Sequence, residues 1–212
     1  IASRTSAVES RFARTPVSLI AIARGYGAQS AHPSAAGGAA GLLDAAGTRL
    51  VTGARSYTVI RLRADNVVAA AQAFDVYGDP AAAAAMAAYL NATPAGTGIV
   101  VVTEDEPANM RLNGGLAAAM QRCGAGPAFD SAAFVPKSAY ILIGQAGIGA
   151  GNGLEYFRSA APNEADAYIE ARFDVLNGRP VLAPGGATVT STAARIATEE
   201  TTRAAADSAL AG

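Results

Sequence analysis

Apolar residues fall along this chain in short blocks with two rhythms. "GIVVVT" (98–103) and "SAYILIG" (138–144) are apolar at successive positions, the pattern of strands buried on both faces. "PVSLIAIA" (16–23) is rich in Ile, Leu and Val and reads as a further strand. "ADAYIEARFDV" (165–175) alternates instead. Ala167, Ile169, Ala171, Phe173 and Val175 point one way, and Tyr168, Glu170, Arg172 and Asp174 the other, which fits an antiparallel strand with one wet face. More strand pattern lies at 48–51, 56–63 and 66–74, with Ala64-Asp65 as a tight hairpin between the last two. The turn 177–179 leads into "PVLAP" at 180–184.

Helical spacing appears twice. "DPAAAAAMAAYLN" (79–91) offers Asp79 as a cap, Pro80 for the first turn, Asn91 for the exit, and a packing face of Ala82, Met86, Tyr89 and Leu90. Residues 113–123 start at Asn113, pack through Leu116, Met120 and Cys123, and stop at Gly124. These elements predict an α+β domain over 16–184, preceded by a polar lead-in at 1–15. The segment 25–41 ("GYGAQSAHPSAAGGAAG") reads as a small-residue loop. Beyond it all, 185–212 turns alanine- and charge-rich, with Ile196, Arg203 and Leu210 at heptad spacing, so a linker and a coiled-coil-like helix are expected. An isolated helix of that kind is marginal in water and needs copies of itself or a continuation. The chain thus reads as a piece of a longer protein.

Composition narrows the function. The 212 residues are 51% hydrophobic and 16% charged, enough for one good core. A net charge of -1 without a Lys/Arg cluster argues against a nucleic-acid groove. A single cysteine, Cys123, rules out an internal disulfide and suits a reducing compartment. No apolar run reaches the roughly 18 residues of a membrane span.

Candidate chemistry is sparse. "ILIGQAGIGAGNGLEYF" (141–157) imitates a dinucleotide loop through Gly147, Gly149, Gly151 and Gly153. Its would-be helix, "LEYFRSAA", is cut at Pro162, and the next strand has a wet face that a parallel Rossmann strand lacks. The glycines read better as a surface loop. His32 lies in the small-residue loop and reads as a surface histidine; Cys123 reads as a small buried hydrophobe. "TEDEP" (103–107) places Glu104, Asp105 and Glu106 at a sheet edge, where carboxylates bind Ca²⁺, serve acid/base chemistry, accept sugar hydroxyls or simply form a solvated turn.

Four motifs in order, Phe74-Asp75 before a helix, Asp105-Glu106 after a strand, Gly124 closing a helix, and Lys137, Tyr140 and Gly144 around an aromatic strand, resemble the interleukin-like EMT inducer, or GG, domain. The resemblance is firmest over 50–145. It implies two packed, mainly antiparallel sheets with short flanking helices. The family includes disulfide-bearing cytokine-like proteins, a sugar-binding stem domain and phage tail-tip proteins of the host-specificity protein J type. The phage branch is the most similar, and the 191–212 tail resembles fibre repeats.

The resemblance implies a non-enzymatic, homotrimeric module of a phage central tail fibre, assembled in the bacterial cytoplasm and carried in the virion. Its implied partners are a bacterial surface receptor, glycan or outer-membrane protein, and other tail proteins, with no cofactor, metal or nucleic acid. By correspondence a sugar site would involve Gln72, where the family has a basic residue, with Asp105, Glu106, Lys137 and Tyr140; Tyr77 is a second ring nearby. The rival readings are a glycan-acting enzyme using Asp105 and Glu106, and a nucleotide-binding protein using the 147–153 loop.

Overall fold

In the computed structural model, residues 16–31, 39–65 and 68–181 are described. The chain enters along β1 (Val17–Gly25), makes a one-turn helix α1 (Ala28–Ala31), then forms β2 (Gly41–Asp44) and β3 (Arg49–Thr52). Next come the hairpin β4 (Ser56–Leu62) and β5 (Val68–Phe74), helix α2 (Ala82–Asn91) and strand β6 (Gly98–Asp105). Helix α3 (Leu116–Arg122), β7 (Ala139–Gln145), β8 (Leu154–Arg158), a 3₁₀ turn (Glu164–Asp166), β9 (Tyr168–Leu176) and β10 (Arg179–Pro180) complete it.

All ten strands belong to one sheet. One branch is an antiparallel ribbon in which β1 lies between β9 and β2, with Ala21 opposite both Ala171 and Leu42. The other centres on β6, whose Val101 faces Val59 of β4 on one side and Leu142 of β7 on the other, again antiparallel. The branches join at a single short parallel link, Arg24 with Glu104 and Gly25 with Asp105.

Side-chain alternation along β6 explains both cores. Ile99 and Val101 face one way, into a core completed by Tyr57, Phe129, Tyr140 and the helix residues Met86, Leu90, Leu116 and Met120. Val100 and Val102 face the other way, against Leu19, Ile141, Ile169 and Phe173. A strand apolar on both faces is therefore sandwiched between the helices and the β1–β9 ribbon, as the "GIVVVT" run requires. Each fully buried side chain of this size contributes roughly 1.5–3 kcal/mol.

The expected α+β class of two separate sheets is overturned. Among the described residues the fold is mostly β, 40% strand against 14% helix, with a single mixed sheet and two helices longer than one turn. The reason is the parallel link, which makes hydrogen bonding continuous from β9 to β5 although the two branches pack face to face through a shared core. Two strands also arise where none was expected. β2 emerges from the end of the small-residue segment, its Leu42 and Leu43 buried beside β1. "LEYFR", which only the rejected dinucleotide reading would make a helix, is β8, hydrogen-bonded along β7 from Ala139↔Arg158 to Ile143↔Leu154. The coiled-coil-like helix expected for 185–212, the lead-in at 1–15 and His32 lie outside the described residues.

Among the described residues no helix is long and apolar enough to cross a membrane. Helix α2 starts later than its sequence suggests, with Ala81 at the cap position and no side-chain cap; Asp79 instead accepts from the Ala81 amide at 2.8 Å.

Candidate functional site

Strand alternation divides the acidic run at the end of β6. Glu104 continues the Val100–Val102 face into the space between the branches. There it is buried and accepts from Arg24 Nε at 2.9 and 3.0 Å, Gln29 Nε2 at 2.7 Å and the Ala40 amide at 2.6 Å. This ion pair sits on the parallel link itself. Glu106 is also buried, and its two oxygens accept from the Ala108 and Lys137 amides, each at 2.9 Å. Both glutamates are thus spent on holding loops. Asp105, between them, is half-buried, and among the described residues its carboxylate accepts no hydrogen bond. It adds, after the larger effect of Asp75, to keeping the Arg55 guanidinium protonated.

Backbone strain gathers at this same end of the sheet. Four non-glycine residues have positive φ: Ser56 (67°), Asp105 (67°), Lys137 (66°) and Asn177 (54°). Asn177 belongs to the Asn-Gly turn joining β9 to β10, where that conformation is expected. The other three open β4, close β6 and precede β7, side by side at the junction. Each costs on the order of 1–3 kcal/mol and persists only where surrounding contacts enforce it. Those contacts are visible. Ser56 Oγ donates to the Glu106 carbonyl at 2.6 Å and accepts from the Tyr77 amide at 3.2 Å. The Tyr26 amide donates to the Asp105 carbonyl at 3.1 Å. The Lys137 carbonyl fills the space above Gly25 that any Cβ would need.

Two exposed rings flank the strained residues. Tyr26 is 56% exposed, and Lys137 Nζ lies 5.5 Å from its ring centre; Tyr77 is 49% exposed, with Arg55 at 5.3 Å. Each cation is also held by a carboxylate. Lys137 bonds Glu164 at 2.8 and 3.0 Å, which raises its pKa, while Arg55 bonds Asp75 through both Nε and Nη2. Arg55 in turn, through that hydrogen bond, holds the Asp75 carboxyl below its ordinary 3.8. The rim therefore runs Tyr26, Lys137, Asp105, Arg55, Tyr77, with paired cations against rings and one free carboxylate between.

The residues named from the sequence separate accordingly. Asp105, Glu106 and Lys137 do meet at the junction, but the Lys137 ammonium is directed to Glu164 and Tyr26, and Glu106 faces inward. Gln72 sits on β5 opposite Val59, about 10 Å along the strand from the Ser56 end. Tyr140 is fully buried, donating to Glu155 at 2.7 Å, and cannot offer its face to a ligand. Glu155 also accepts from the Ala128 and Phe129 amides, so the pair is an internal brace. Tyr26, Arg55 and Glu164 went unnamed, and Asp75 appeared only in the Phe74-Asp75 motif. For Tyr26 a signal existed: a bulky ring between two glycines in "GYG" is hard to explain as core.

The glycine run is the tip of the β7–β8 hairpin. Its amides are directed inward: Gly147 to the Arg122 carbonyl at 3.0 Å, Gly151 to Ala125 at 2.8 Å and Gly153 to Gly124 at 2.9 Å. A phosphate site needs such groups aimed at the ligand; here they close the end of α3. Cys123 is buried, which pushes its thiol up to about 11. Among the described residues no group of three or more His, Cys, Asp or Glu is placed to hold a metal ion.

Among the described residues one buried side-chain polar atom lacks a partner, the Tyr57 hydroxyl. Its ring packs against Phe129 at 6.1 Å, and burial pushes its pKa far up. An unpaired buried hydroxyl carries its desolvation cost uncompensated. Tyr57→Phe should therefore hold or raise stability by about 1 kcal/mol, read from urea unfolding midpoints. A loss of that size would mean the hydroxyl has a bonded partner.

Residues 55–148 match the model of the family described as interleukin-like EMT inducer. The matched segment runs from Arg55 through β4, β5, α2, β6 and α3 to β7 and the start of the glycine tip. It contains Arg55, Asp75, Tyr77, Asp105 and Lys137, but not Tyr26 or Glu164. The matched segment thus supplies five of these seven rim residues, and the flanking segments supply Tyr26 and Glu164. No curated protein matches the chain.

Proposed function

We propose that this chain is a non-catalytic recognition module of a phage central tail fibre or tail tip, binding a bacterial surface receptor through the junction rim. A saccharide is the favoured ligand. The observation that supports this most is the coincidence of three strained non-glycine residues with two exposed tyrosines and a free carboxylate at one sheet end. Strain of this kind clusters at binding and switch sites. Rings that combine an apolar face with a polar tip are common at recognition surfaces.

The distribution of carboxylates favours binding over hydrolysis. Glycoside cleavage uses two carboxyl groups flanking one bond. Here Glu104 and Glu106 are committed to structure, leaving Asp105 as an acceptor for hydroxyl donors. The phage setting, the homotrimer and the virion location rest on the motif series rather than on the rim.

Binding of the purified chain to host-type bacterial cells and to a glycan array tests the proposal. Saturable binding is expected, weakened about tenfold or more by Tyr77→Ala and by Tyr26→Ala, within the range of hot-spot aromatics. Binding that survives both substitutions unchanged would move the receptor site elsewhere. Sedimentation should give three times the chain mass; a monomer at every concentration would remove the trimer from the proposal.

A further inference from the structure

The rim carries a charge imbalance that bears on what it can hold. Its surface cations are Arg55 and Lys137, and its surface carboxylates are Asp75, Asp105 and Glu164. Arg55 is paired with Asp75 and Lys137 with Glu164, the latter at 2.8 Å. The cations are further fixed against the Tyr77 and Tyr26 rings. Neither is left to meet an incoming anion without breaking a pair. What remains is Asp105, with no hydrogen-bond donor to its carboxylate among the described residues, a left-handed backbone, and its carbonyl tied to the Tyr26 amide at 3.1 Å. Beneath it, Glu106 is satisfied by backbone amides, and Arg111 is turned to the Phe129, Ala108 and Ser131 carbonyls.

Resting on the saccharide reading above, we infer that Asp105 is a charge filter. The rim accepts neutral or amino-bearing saccharides and rejects those carrying carboxylate, sulfate or phosphate. A hydroxyl or ammonium donor satisfies Asp105 on binding. An anionic group brought between the rings meets a like charge offset only by Arg55, whose guanidinium is already paired with Asp75. At a separation of several ångströms in a half-buried setting, that repulsion weakens binding by about tenfold. Specificity then comes from an element that repels as well as from the rings that attract.

Three matched probes test it: trisaccharides of glucose, glucosamine and glucuronic acid, titrated against the full chain at low and at physiological salt. The glucose and glucosamine probes should bind, with glucuronic acid at least about tenfold weaker and the gap shrinking as salt screens it. Asp105→Asn keeps shape and backbone preference while removing the charge. It should bring the glucuronic acid probe to within about threefold of glucose, with its thermal midpoint serving as the folding control. Equal binding of all three by the wild type, or an unchanged gap in Asp105→Asn, overturns the filter and leaves the saccharide reading standing. Failure of the wild type to bind any of the three overturns the saccharide reading, and the filter with it.

Discussion

Replacing Glu104 with alanine should cost about 3–5 kcal/mol of stability, because it strands Arg24 without its carboxylate in a buried position. The side chains of the pair are only 12% and 10% exposed. Glu104 also holds the Ala40 amide and Gln29, so its loss releases the entry to β2 as well as the junction. Breaking one partner of a buried pair is costly even where the pair as a whole adds little. Arg24→Met combined with Glu104→Leu should therefore recover much of the loss. Urea unfolding of the two single variants and the double variant closes the cycle. A loss below about 1 kcal/mol in Glu104→Ala would mean that the junction is hydrated and that the link does not depend on this contact.

Gly25→Ala should be nearly as damaging, at about 3 kcal/mol or more, for a steric reason. A Cβ on Gly25 would lie 1.5 Å from the Lys137 carbonyl oxygen and 3.1 Å from the Ala167 Cβ. Neither backbone can yield easily. The Gly25 amide donates to Ala167 at 2.8 Å and its neighbour Arg24 is in the buried ion pair, while Lys137 is fastened through its own amide to Glu106. Gly47→Ala provides the contrast. That glycine also has a positive φ, 86°, but nothing lies within 4 Å of its added Cβ, so only a conformational cost of about 1 kcal/mol is expected. Comparable losses in the two variants would show that the close approach at Gly25 relaxes without penalty.

How far the sequence discloses this architecture depends on how local each cause is. The alternation in 165–175 identified a strand with one wet face, and β9 shows it: Ile169, Ala171, Phe173 and Val175 are buried, Glu170, Arg172 and Asp174 exposed. The apolar run at 98–103 gave the central strand because both of its faces are covered. Short elements whose partners lie far along the chain were harder. β2 spans Gly41–Asp44, and its pairing with β1 is set by residues some twenty positions earlier. The junction is less visible still, since two residue pairs leave no periodic trace. Within the site, "EDE" shows three acids but not that strand alternation would bury the first and a following turn the third. Tyr140 appeared available because its burial is decided by Glu155 and by rings from separate segments.

The ribbon that closes the sheet also sets how the domain is tethered. Val17 lies opposite Val175, and the Val181 amide bonds Asp174, so the first described strand begins and the last ends at the same end of β9, on its two opposite edges. A pull applied through residues 16 and 181 would open the β1–β9 ladder one rung at a time, like a zip, instead of loading all its rungs together in shear. The domain is therefore suited to hang beside a load-bearing shaft, and poorly suited to serve as a link within one.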